Sequence, residues 1–514
     1  MLIRLTTLAA AGLLAVSTAA LTPAPDVDWA MVAKIREEGL QRSRVMDYES
    51  YMTDVLGARL TLSRDMQRAQ KWLLGELTTM GLANVAAEPF MDFGVAWDNE
   101  YVSLQMLEPD YSPMVAYPIA HTAGTNGRKV ADAVIVELTS KDDLAKYKGT
   151  LKGKAVLSTP PPVIDLAPLT KGVPRLTERD LDSLERTVIA PTRPTPPRPA
   201  PNPNALTAVD RMRFFKDEGV AVMLQSESGW LGAVRGYSRP DSKTDQWSRA
   251  GDLASPAIVA VTPEHYNRMY RILKRNIPVK VEVEVRNRIG ETVEKAVNVV
   301  GEIPGSDLAD QVVMLGAHFD TWHASPNASD NTSGVAVMLE AMRILKAVGA
   351  KPRRTIRVAL WSGEEQGLWG SRAYVREHFG DPRDPAVGVK PAYERLSAYF
   401  NQDYNAGQFR GIYLQGNEHA RAMLTAWMAP FRDLGMTAVS NQSVGSTDHI
   451  AFDEVGLPGF QFLQDHIPGS GGHTNLDFYD TIQAEDLMKN ATIMASYVYH
   501  AAIADERVPR KGMR

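Results

Sequence analysis

The sequence contains no cysteine, no excess of basic residues and no long apolar run. Without cysteine, disulfide bonds, thiolate metal ligands and a cysteine nucleophile are all excluded. The 56 lysine and arginine residues are outnumbered by 61 acidic residues, which gives a net charge of −5. A chain with this charge has no basic surplus to neutralise phosphates, so nucleic acid is not expected as a partner.

No apolar run reaches the roughly 20 residues that a membrane-spanning helix needs, so stable membrane insertion is not expected. The first residues place Arg4 before an apolar stretch at 8–16 and small residues at 17–20. This order is typical of a signal peptide, predicted here for residues 1–20, and indicates a periplasmic or secreted protein. The alternative is a short N-terminal helix on a cytoplasmic protein.

What is present is an ordinary globular composition, with 44% apolar and 23% charged residues. At about 150 residues per domain, the length predicts roughly three domains. Residues 26–82 have helical spacing, and one apolar stripe comprises Met66, Ala69, Leu73 and Leu77. We predict that Ser63 caps this helix and that Gly81 ends it.

From residue 101 the pattern changes to short runs rich in valine and alanine, which predict strands near 130–138, 153–159, 219–226 and 255–263. We assign residues 101–265 to a small β-rich unit. Within it, residues 160–203 hold 12 of the 32 prolines. Because proline supplies no N–H to a sheet, this stretch is predicted to be an exposed extended loop. A docking peptide for a partner is the alternative.

The pattern from residue 281 alternates strands with helices. The strand runs are 281–287, 296–303, 312–319, 355–361, 396–403, 411–416 and 458–465, and the clearest helix is 333–349. This alternation predicts a three-layer α/β/α domain with a mostly parallel central sheet. In such sheets the functional residues collect at the carboxyl ends of the strands.

Imidazole and carboxylate side chains follow several of these strands. They are His318, Asp320, Asp330, Glu364, Glu365, Asp403 and His473. So many carboxylates at one sheet edge would repel each other unless cations bound them. Imidazole and carboxylate ligands without thiolate suit Zn²⁺, with Mn²⁺ or Co²⁺ as substitutes.

Two histidines and three carboxylates would give five ligands, more than the usual three protein ligands of one catalytic zinc. Five ligands divide over two ions if one carboxylate bridges them. A metal pair can lower the pKa of a bound water towards ~7 and polarise a substrate carbonyl. Of the adjacent Glu364 and Glu365, one can ligate while the other acts as general base. Asp320 is predicted to hold the second ring nitrogen of His318.

Several motifs together resemble the zinc exopeptidases of family M28. They are AVNVVGEIPG, VVMLGAHFDTW, SDNTSG, LWSGEEQGLWGS, GSTDHIAFDEVGLPG and HTNLD. TDVLGARLTLS, MGLANV and MLEP are similar to the carboxypeptidase Q branch, which carries a protease-associated domain where residues 101–265 lie. The resemblance implies a catalytic domain formed by residues 21–100 and 266–514.

The resemblance also implies roles for single residues. His318 and Asp403 would bind one zinc ion, Glu365 and His473 the other, with Asp330 as bridge and Glu364 as base. It implies a cis peptide between Asp330 and Asn331, and Asn331 itself departs from the acidic residue that many relatives carry.

Further residues near these motifs are candidates for substrate contact. Asp448 and His449 match the family's Ser-Asp-His segment beside the cleft, where substrate contact and a structural role are both open. Trp322, His323 and Trp369 lie near the metal loops and are candidates for lining a pocket.

These observations predict an exported di-zinc metallopeptidase that hydrolyses short peptides or dipeptides with a metal-bound hydroxide activated by Glu364. The carboxypeptidase or dipeptidase type is favoured. The alternatives are an aminopeptidase of the same family and a catalytically silent, receptor-like homologue. The absence of G-x-S-x-G and H-E-x-x-H motifs excludes serine-hydrolase and thermolysin-like sites. The family often forms homodimers, and the sequence is equally compatible with a monomer.

Overall fold

The computed structural model describes residues 27–166, 175–187, 202–240, 245, 247–403, 406–467 and 472–512. The predicted signal peptide and residues 167–174 and 188–201 of the predicted proline-rich loop lie outside these residues. Elsewhere in that loop the prediction of an extended chain is wrong in part, because Ile164–Asp165 forms a short strand and Glu178–Glu185 forms a helix with a capped first turn. Within the described part, no helix combines the length and the apolar character needed to cross a membrane.

Helices occur before, between and after the strands. They are α1 (Trp29–Gln41), α2 (Val45–Ser50), α3 (Arg64–Thr79), α4 (Leu144–Tyr147), α5 (Glu178–Glu185), α6 (Ala208–Asp217), α7 (Arg249–Ala254), α8 (Pro263–Leu273), α9 (Ser333–Ala347), α10 (Trp369–His378), α11 (Arg421–Met428), α12 (His449–Asp453) and α13 (Ala484–Ile503). Short 3₁₀ or π turns are Tyr51–Leu56, Lys141–Asp143, Ala328–Thr332, Tyr393–Arg395, Glu418–Ala420, Ala429–Leu434 and Tyr479–Thr481.

Every apolar run that the sequence marks as a strand overlaps one, but the runs 281–287 and 296–303 form a single strand, and the long strand Ala83–Glu108 was not predicted. The strands are β1 (Ala83–Glu108), β2 (Ser112–Pro113), β3 (Ala116–Pro118), β4 (Lys129–Ile135), β5 (Ala155–Leu157), β6 (Ile164–Asp165), β7 (Val222–Gln225), β8 (Gly229–Trp230), β9 (Ile258–Val261), β10 (Lys280–Ile303), β11 (Leu308–His318), β12 (Arg354–Trp361), β13 (Gly380–Asp381), β14 (Gly388–Val389), β15 (Leu396–Asn401), β16 (Phe409–Tyr413), β17 (Ala438–Ser440) and β18 (Gly459–Gln464).

The centre of the large sheet is parallel. β11 pairs in parallel with β12 and β15, and β15 pairs in parallel with β18. β10 and β16 join this centre in the antiparallel direction. The parallel strands β11, β12 and β15 therefore deliver their carboxyl ends, and the residues that follow them, to one edge.

Helices cover both faces of this sheet. On one face, α1, α3, α9 and α13 contribute to a core with the sheet residues Val313, Leu315 and Phe400. On the other face, α10 and α12 pack on Trp361 and Tyr399. The predicted three-layer α/β/α architecture is confirmed.

Helix α3 follows its predicted pattern. The Ser63 hydroxyl accepts the Met66 N–H at 3.1 Å and so caps the first turn. The stripe of apolar residues is fully buried, and Gly81 ends the helix with a φ of 73°. A positive φ is easily adopted by glycine, so the stop follows from the sequence.

The inserted unit, meaning residues 101–265 of the sequence, extends the same sheet through β4, β5, β7, β9 and β3. It is linked to the α/β/α layers by β1 and β10, which pair antiparallel along almost their whole length. A separate apolar core fills it, and Tyr266, Met269 and Val285 belong to that core. Its packing therefore extends past residue 265.

Candidate metal centre

The predicted ligands and the predicted base converge beyond the carboxyl ends of β11, β12 and β15. Ligand atoms of His318, Glu364 and Asp403 lie within 4.8 Å of one another. A second set, within the same limit, comprises Asp330, Glu365 and His473. The structure thus brings together all six side chains that the sequence singled out for metal binding and proton transfer.

Asp330 lies between the two histidines. Its Oδ1 is 3.4 Å from His318 Nε2, and its Oδ2 is 3.1 Å from His473 Nε2. The peptide between Asp330 and Asn331 is cis, as the family resemblance implies. Asn331 itself binds backbone, because its Nδ2 donates to the Gln402 carbonyl at 2.8 Å. The two oxygens of Asp330 therefore face two different imidazoles, as a bridging carboxylate requires.

Each histidine also faces one further carboxylate. Asp403 Oδ1 lies 3.5 Å from His318 Nε2, and Glu365 Oε2 lies 2.8 Å from His473 Nε2. Glu364 Oε2 stands farther off, 3.9 Å from His318 Nε2. This pairing matches the division of ligands that the resemblance implies.

Asp320 contacts the second ring nitrogen of His318, as predicted, but not through its carboxylate. His318 Nδ1 contacts the backbone carbonyl of Asp320 at 2.9 Å, whereas the carboxylate oxygen is 3.8 Å away. The carboxylate instead accepts the N–H groups of Glu364 and Glu365, each at 3.2 Å. Asp320 therefore holds His318 through its main chain and orients the paired glutamates through its side chain.

Burial and crowding shift the pKa values of the site. Burial raises the pKa of Glu364 well above its usual range and the pKa of Glu365 to about 7. Burial opposes protonation of His473, but Glu365 and Asp330 outweigh it and raise the pKa of His473 to about 12. Protons therefore compete strongly for the atoms that a cation would take, which makes metal binding pH-dependent.

The donor set fits a pair of zinc ions. His318 Nε2 and Glu365 Oε1 are among several buried polar atoms of the described residues that have no hydrogen-bond partner, and these two residues belong to the two candidate ligand sets of the site. Buried polar atoms are normally satisfied, so these atoms point to a ligand. Two imidazoles with carboxylates and no thiolate are ligands that zinc accepts.

Two residues that were not predicted from the sequence bind the loops that carry the candidate ligands His318 and Asp330. Arg59 is fully buried, and its Nε and Nη2 donate to the Phe319 carbonyl at 2.8 Å and to Thr332 Oγ1 at 2.6 Å. Asp477 accepts the N–H groups of Ser329 at 2.8 Å and Asp330 at 3.2 Å. Arg59 lies in the motif LGARLTLS and Asp477 in the motif HTNLD. The family resemblance was therefore the sequence signal that could have identified both residues.

Asp448 and His449 are fully buried. Burial raises the pKa of Asp448 to about 7 and lowers that of His449 to about 4. His449 Nε2 contacts the Val444 carbonyl at 3.1 Å and the side chain of Gln415. These contacts favour a structural role for His449, whereas both carboxylate oxygens of Asp448 are buried without a hydrogen-bond partner in the described part of the chain, so its role stays a prediction.

Two clefts meet at Glu365 and His473. The first has a volume of about 630 Å³, and its other lining residues include Glu364, Asp403, Arg372, Ser446, Ile450 and Glu454. The second, of about 500 Å³, lies against the inserted unit, with Tyr237 and Trp322 on its walls. Of the other pocket candidates, Trp369 is 36% exposed and His323 Nε2 contacts the Pro118 carbonyl at 2.6 Å.

Comparison with known proteins matches part of the chain to a peptidase family. Residues 298–498 match the sequence model of peptidase family M28. The chain carries an M28 peptidase domain. All five candidate metal ligands and Glu364 lie within the matched residues.

Similar proteins extend the match to most of the chain. Human carboxypeptidase Q is 24% identical over 475 residues, which cover 92% of this chain and 88% of that protein. A solved peptidase M28 precursor from Shewanella amazonensis is 22% identical with a TM-score of 0.64, covering 94% of this chain and 98% of its own. A zinc aminopeptidase from Bacillus subtilis is 17% identical with a TM-score of 0.56, covering 89% and 94%. The predicted family and the predicted enzyme class, a peptidase, are confirmed.

Proposed function

We propose that this M28 peptidase is a di-zinc exopeptidase that removes the C-terminal residue of short peptides or splits dipeptides. The observation that carries the proposal is Asp330, whose two oxygens face His318 and His473. His318 and Asp403 would hold one ion, and Glu365 and His473 the other. When bound, the ions supply a water of lowered pKa and polarise the scissile carbonyl.

Glu364 is the proposed general base. It lines the larger cleft, its N–H donates to Asp320, and its carboxylate is farther from His318 than those of Asp330 and Asp403 are. A buried carboxylate with a raised pKa is suited to take a proton from the attacking water and to deliver it to the leaving amine.

The carboxypeptidase or dipeptidase polarity is supported by the similarity to human carboxypeptidase Q along 92% of this chain. An aminopeptidase is the second candidate, because Glu454 offers a carboxylate on the wall of the larger cleft that could bind a substrate ammonium. Glu454 pairs there with Arg372 at 3.1 Å, and this arginine could equally bind a substrate carboxylate.

A silent, receptor-like homologue is disfavoured by the complete set of ligands and base. We also propose that the protein is exported, that its substrates are short peptides and that it forms a homodimer. Export is supported by the pattern of residues 1–20, and Mn²⁺ or Co²⁺ are proposed substitutes for zinc.

The test uses protein starting at residue 21, loaded with zinc, and a tripeptide of three different residues. The peptide is supplied free, N-acetylated and C-amidated, and mass spectrometry identifies the products. We expect the free and N-acetylated forms to lose the C-terminal residue. Loss of the N-terminal residue from the free and amidated forms would establish an aminopeptidase. Fewer than two bound zinc ions per chain would contradict the di-zinc site.

A further inference from the structure

The inserted unit contacts the loop of His473 through the main chain. The Gly236 N–H donates to the His473 carbonyl at 2.8 Å, and the Asn475 N–H donates to the Val234 carbonyl at 2.9 Å. An antiparallel bridge pairs Arg235 with Thr474 between these two bonds. Residues 234–236 and 473–475 therefore form a short ladder that joins the inserted unit to a candidate metal ligand.

The side chain of Asn475 adds a second set of bonds to the same segment. Its Oδ1 accepts the Val234 N–H at 2.6 Å, and its Nδ2 donates to the Gly232 carbonyl at 3.2 Å. Asn475 is 8% exposed, so water competes little for these bonds. One side chain thus secures residues 232–234 of the inserted unit against the His473 loop.

Aromatic rings surround the imidazole of His473. The Tyr237 ring, from the inserted unit, lies 6.4 Å from it, and the Trp322 ring lies 6.3 Å from it, both edge-on. Tyr237 and Trp322 also contact each other edge-on at 6.0 Å. These contacts orient the ring while its Nε2 faces Glu365 and Asp330.

His473 needs such support because no regular element holds it. It lies in a turn with a φ of 61°, a left-handed conformation that is uncommon for residues other than glycine. His318, by contrast, is the last residue of β11 and is fixed by the sheet. A residue in an uncommon conformation persists when its surroundings over-determine it.

We propose that the inserted unit completes the second metal site, with Asn475 and residues 232–237 acting as the positioning group for His473. The inference rests on the proposed di-zinc function and assigns the inserted unit a role beyond lining the cleft. Removal of this support releases His473 while leaving His318 and Asp403 in place. Loss of the support should therefore weaken the binding of the ion at His473 and leave the binding of the other ion unchanged.

The experiment measures zinc stoichiometry and affinity by competition with a chromophoric chelator in the full mature chain. The wild type is expected to bind two ions. Asn475→Ala should bind one ion with unchanged affinity and the other about 10- to 100-fold more weakly, the range seen when a partner of a ligand is lost. The matched control is Asn417→Ala, because Asn417 is 3% exposed and donates to the Pro509 carbonyl at 2.7 Å. This control should keep both affinities.

A second variant changes only the inserted unit. At Gly236 an added Cβ would lie 3.1 Å from the Trp322 Cβ, so Gly236→Ala should shift the segment and Trp322 apart by a few tenths of an ångström and disturb the two contacts that support His473. We expect the same selective weakening, and this variant decides the matter if Asn475→Ala does not fold. Two tightly bound ions in the folded variants, or an equal loss of zinc affinity in Asn417→Ala, would overturn this inference and leave the proposed di-zinc function standing. A wild type that binds fewer than two ions would overturn the proposed function as well.

Discussion

At the scale of single residues, two side chains that are adjacent in the sequence of the candidate site face different histidines. Glu364 and Glu365 are adjacent, yet Glu365 Oε2 lies 2.8 Å from His473 while Glu364 lies nearer His318. Both main-chain N–H groups are bound by the two oxygens of Asp320. One buried carboxylate therefore sets the directions in which a proposed ligand and a proposed base leave the chain.

Replacing the base should separate catalysis from metal binding. In Glu364→Gln we expect kcat to fall by about 10²- to 10⁴-fold, because the amide cannot accept the proton of the attacking water. The zinc content should stay at two ions, as measured by elemental analysis beside the peptide assay. Glu377→Gln, at an exposed position, is the control. Full activity in Glu364→Gln would remove the assigned role.

Arg59 should be required for stability because its buried guanidinium binds main-chain and hydroxyl oxygens of several loops. Lysine offers one point charge instead of a planar fork, so Arg59→Lys leaves some of these acceptors unsatisfied. We expect the free energy of unfolding of the metal-free protein to fall by at least about 2 kcal/mol, measured by denaturant titration.

The control for Arg59 is Arg68→Lys. Arg68 is exposed and pairs with Asp65 at 2.7 Å, so its replacement should change stability by less than about 0.5 kcal/mol. Equal stability of Arg59→Lys and the wild type would contradict the supporting role of Arg59.

At the scale of elements, α3 shows how local sequence produces a complete helix. Ser63 caps its first turn, a fully buried apolar stripe faces the core, and Gly81 ends it. Each of these features is encoded within the segment itself. The helix therefore needs its neighbours for burial and not for its boundaries.

Removing the cap should weaken the fold by a predictable amount. Ser63→Ala leaves the Met66 N–H without its acceptor, and we expect a loss of about 1 kcal/mol in unfolding free energy. Chemical denaturation of the metal-free protein measures it. The comparison variant is Ser50→Ala, because the Ser50 hydroxyl donates to Asp54 at 2.9 Å and makes no capping hydrogen bond to the turn that follows it. A loss in Ser50→Ala as large as that in Ser63→Ala would argue against capping.

At the scale of the whole molecule, one sheet runs from the α/β/α layers into the inserted unit, and each part has apolar cores of its own. β1 and β10 pass from the α/β/α layers into the inserted unit, and the His473 loop joins the two again. The second cleft lies where these parts meet. Changes in the inserted unit can therefore reach the candidate metal centre.

Global stability should depend on pH through the buried His449, whose pKa is lowered by burial to about 4. A depressed folded-state pKa means that the unfolded chain binds the proton more tightly. The contribution of His449 is therefore complete above its ordinary pKa of about 6.5 and is lost as pH falls towards 4, by up to about 3 kcal/mol. In metal-free protein, His449→Gln should flatten this part of the stability profile.

The exposed His419 provides the comparison for the pH experiment. His419→Gln should keep the wild-type profile between pH 4 and 7. If His449→Gln also kept it, the buried neutral state of His449 would be ruled out.

The sequence by itself determined the strand ends and the chemistry placed on them. Apolar runs locate β11, β12 and β15, and the residues at or just after their carboxyl ends include His318, Glu364 and Asp403. Parallel strands point their carboxyl ends the same way, so convergence follows from the pattern without any coordinates. The family motifs predicted the cis peptide after Asp330, which the structure contains, and a division of the ligands over two ions, which stays a prediction.

Only the tertiary structure decided which groups support those ligands. The carboxylate of Asp320 turned out to bind amides 44 and 45 residues away, and Asn475 binds a segment 241 residues earlier. Such partners are set by how distant segments pack, and no local periodicity encodes that choice. A side chain's type and spacing predict its chemistry, whereas its hydrogen-bond partners depend on long-range packing.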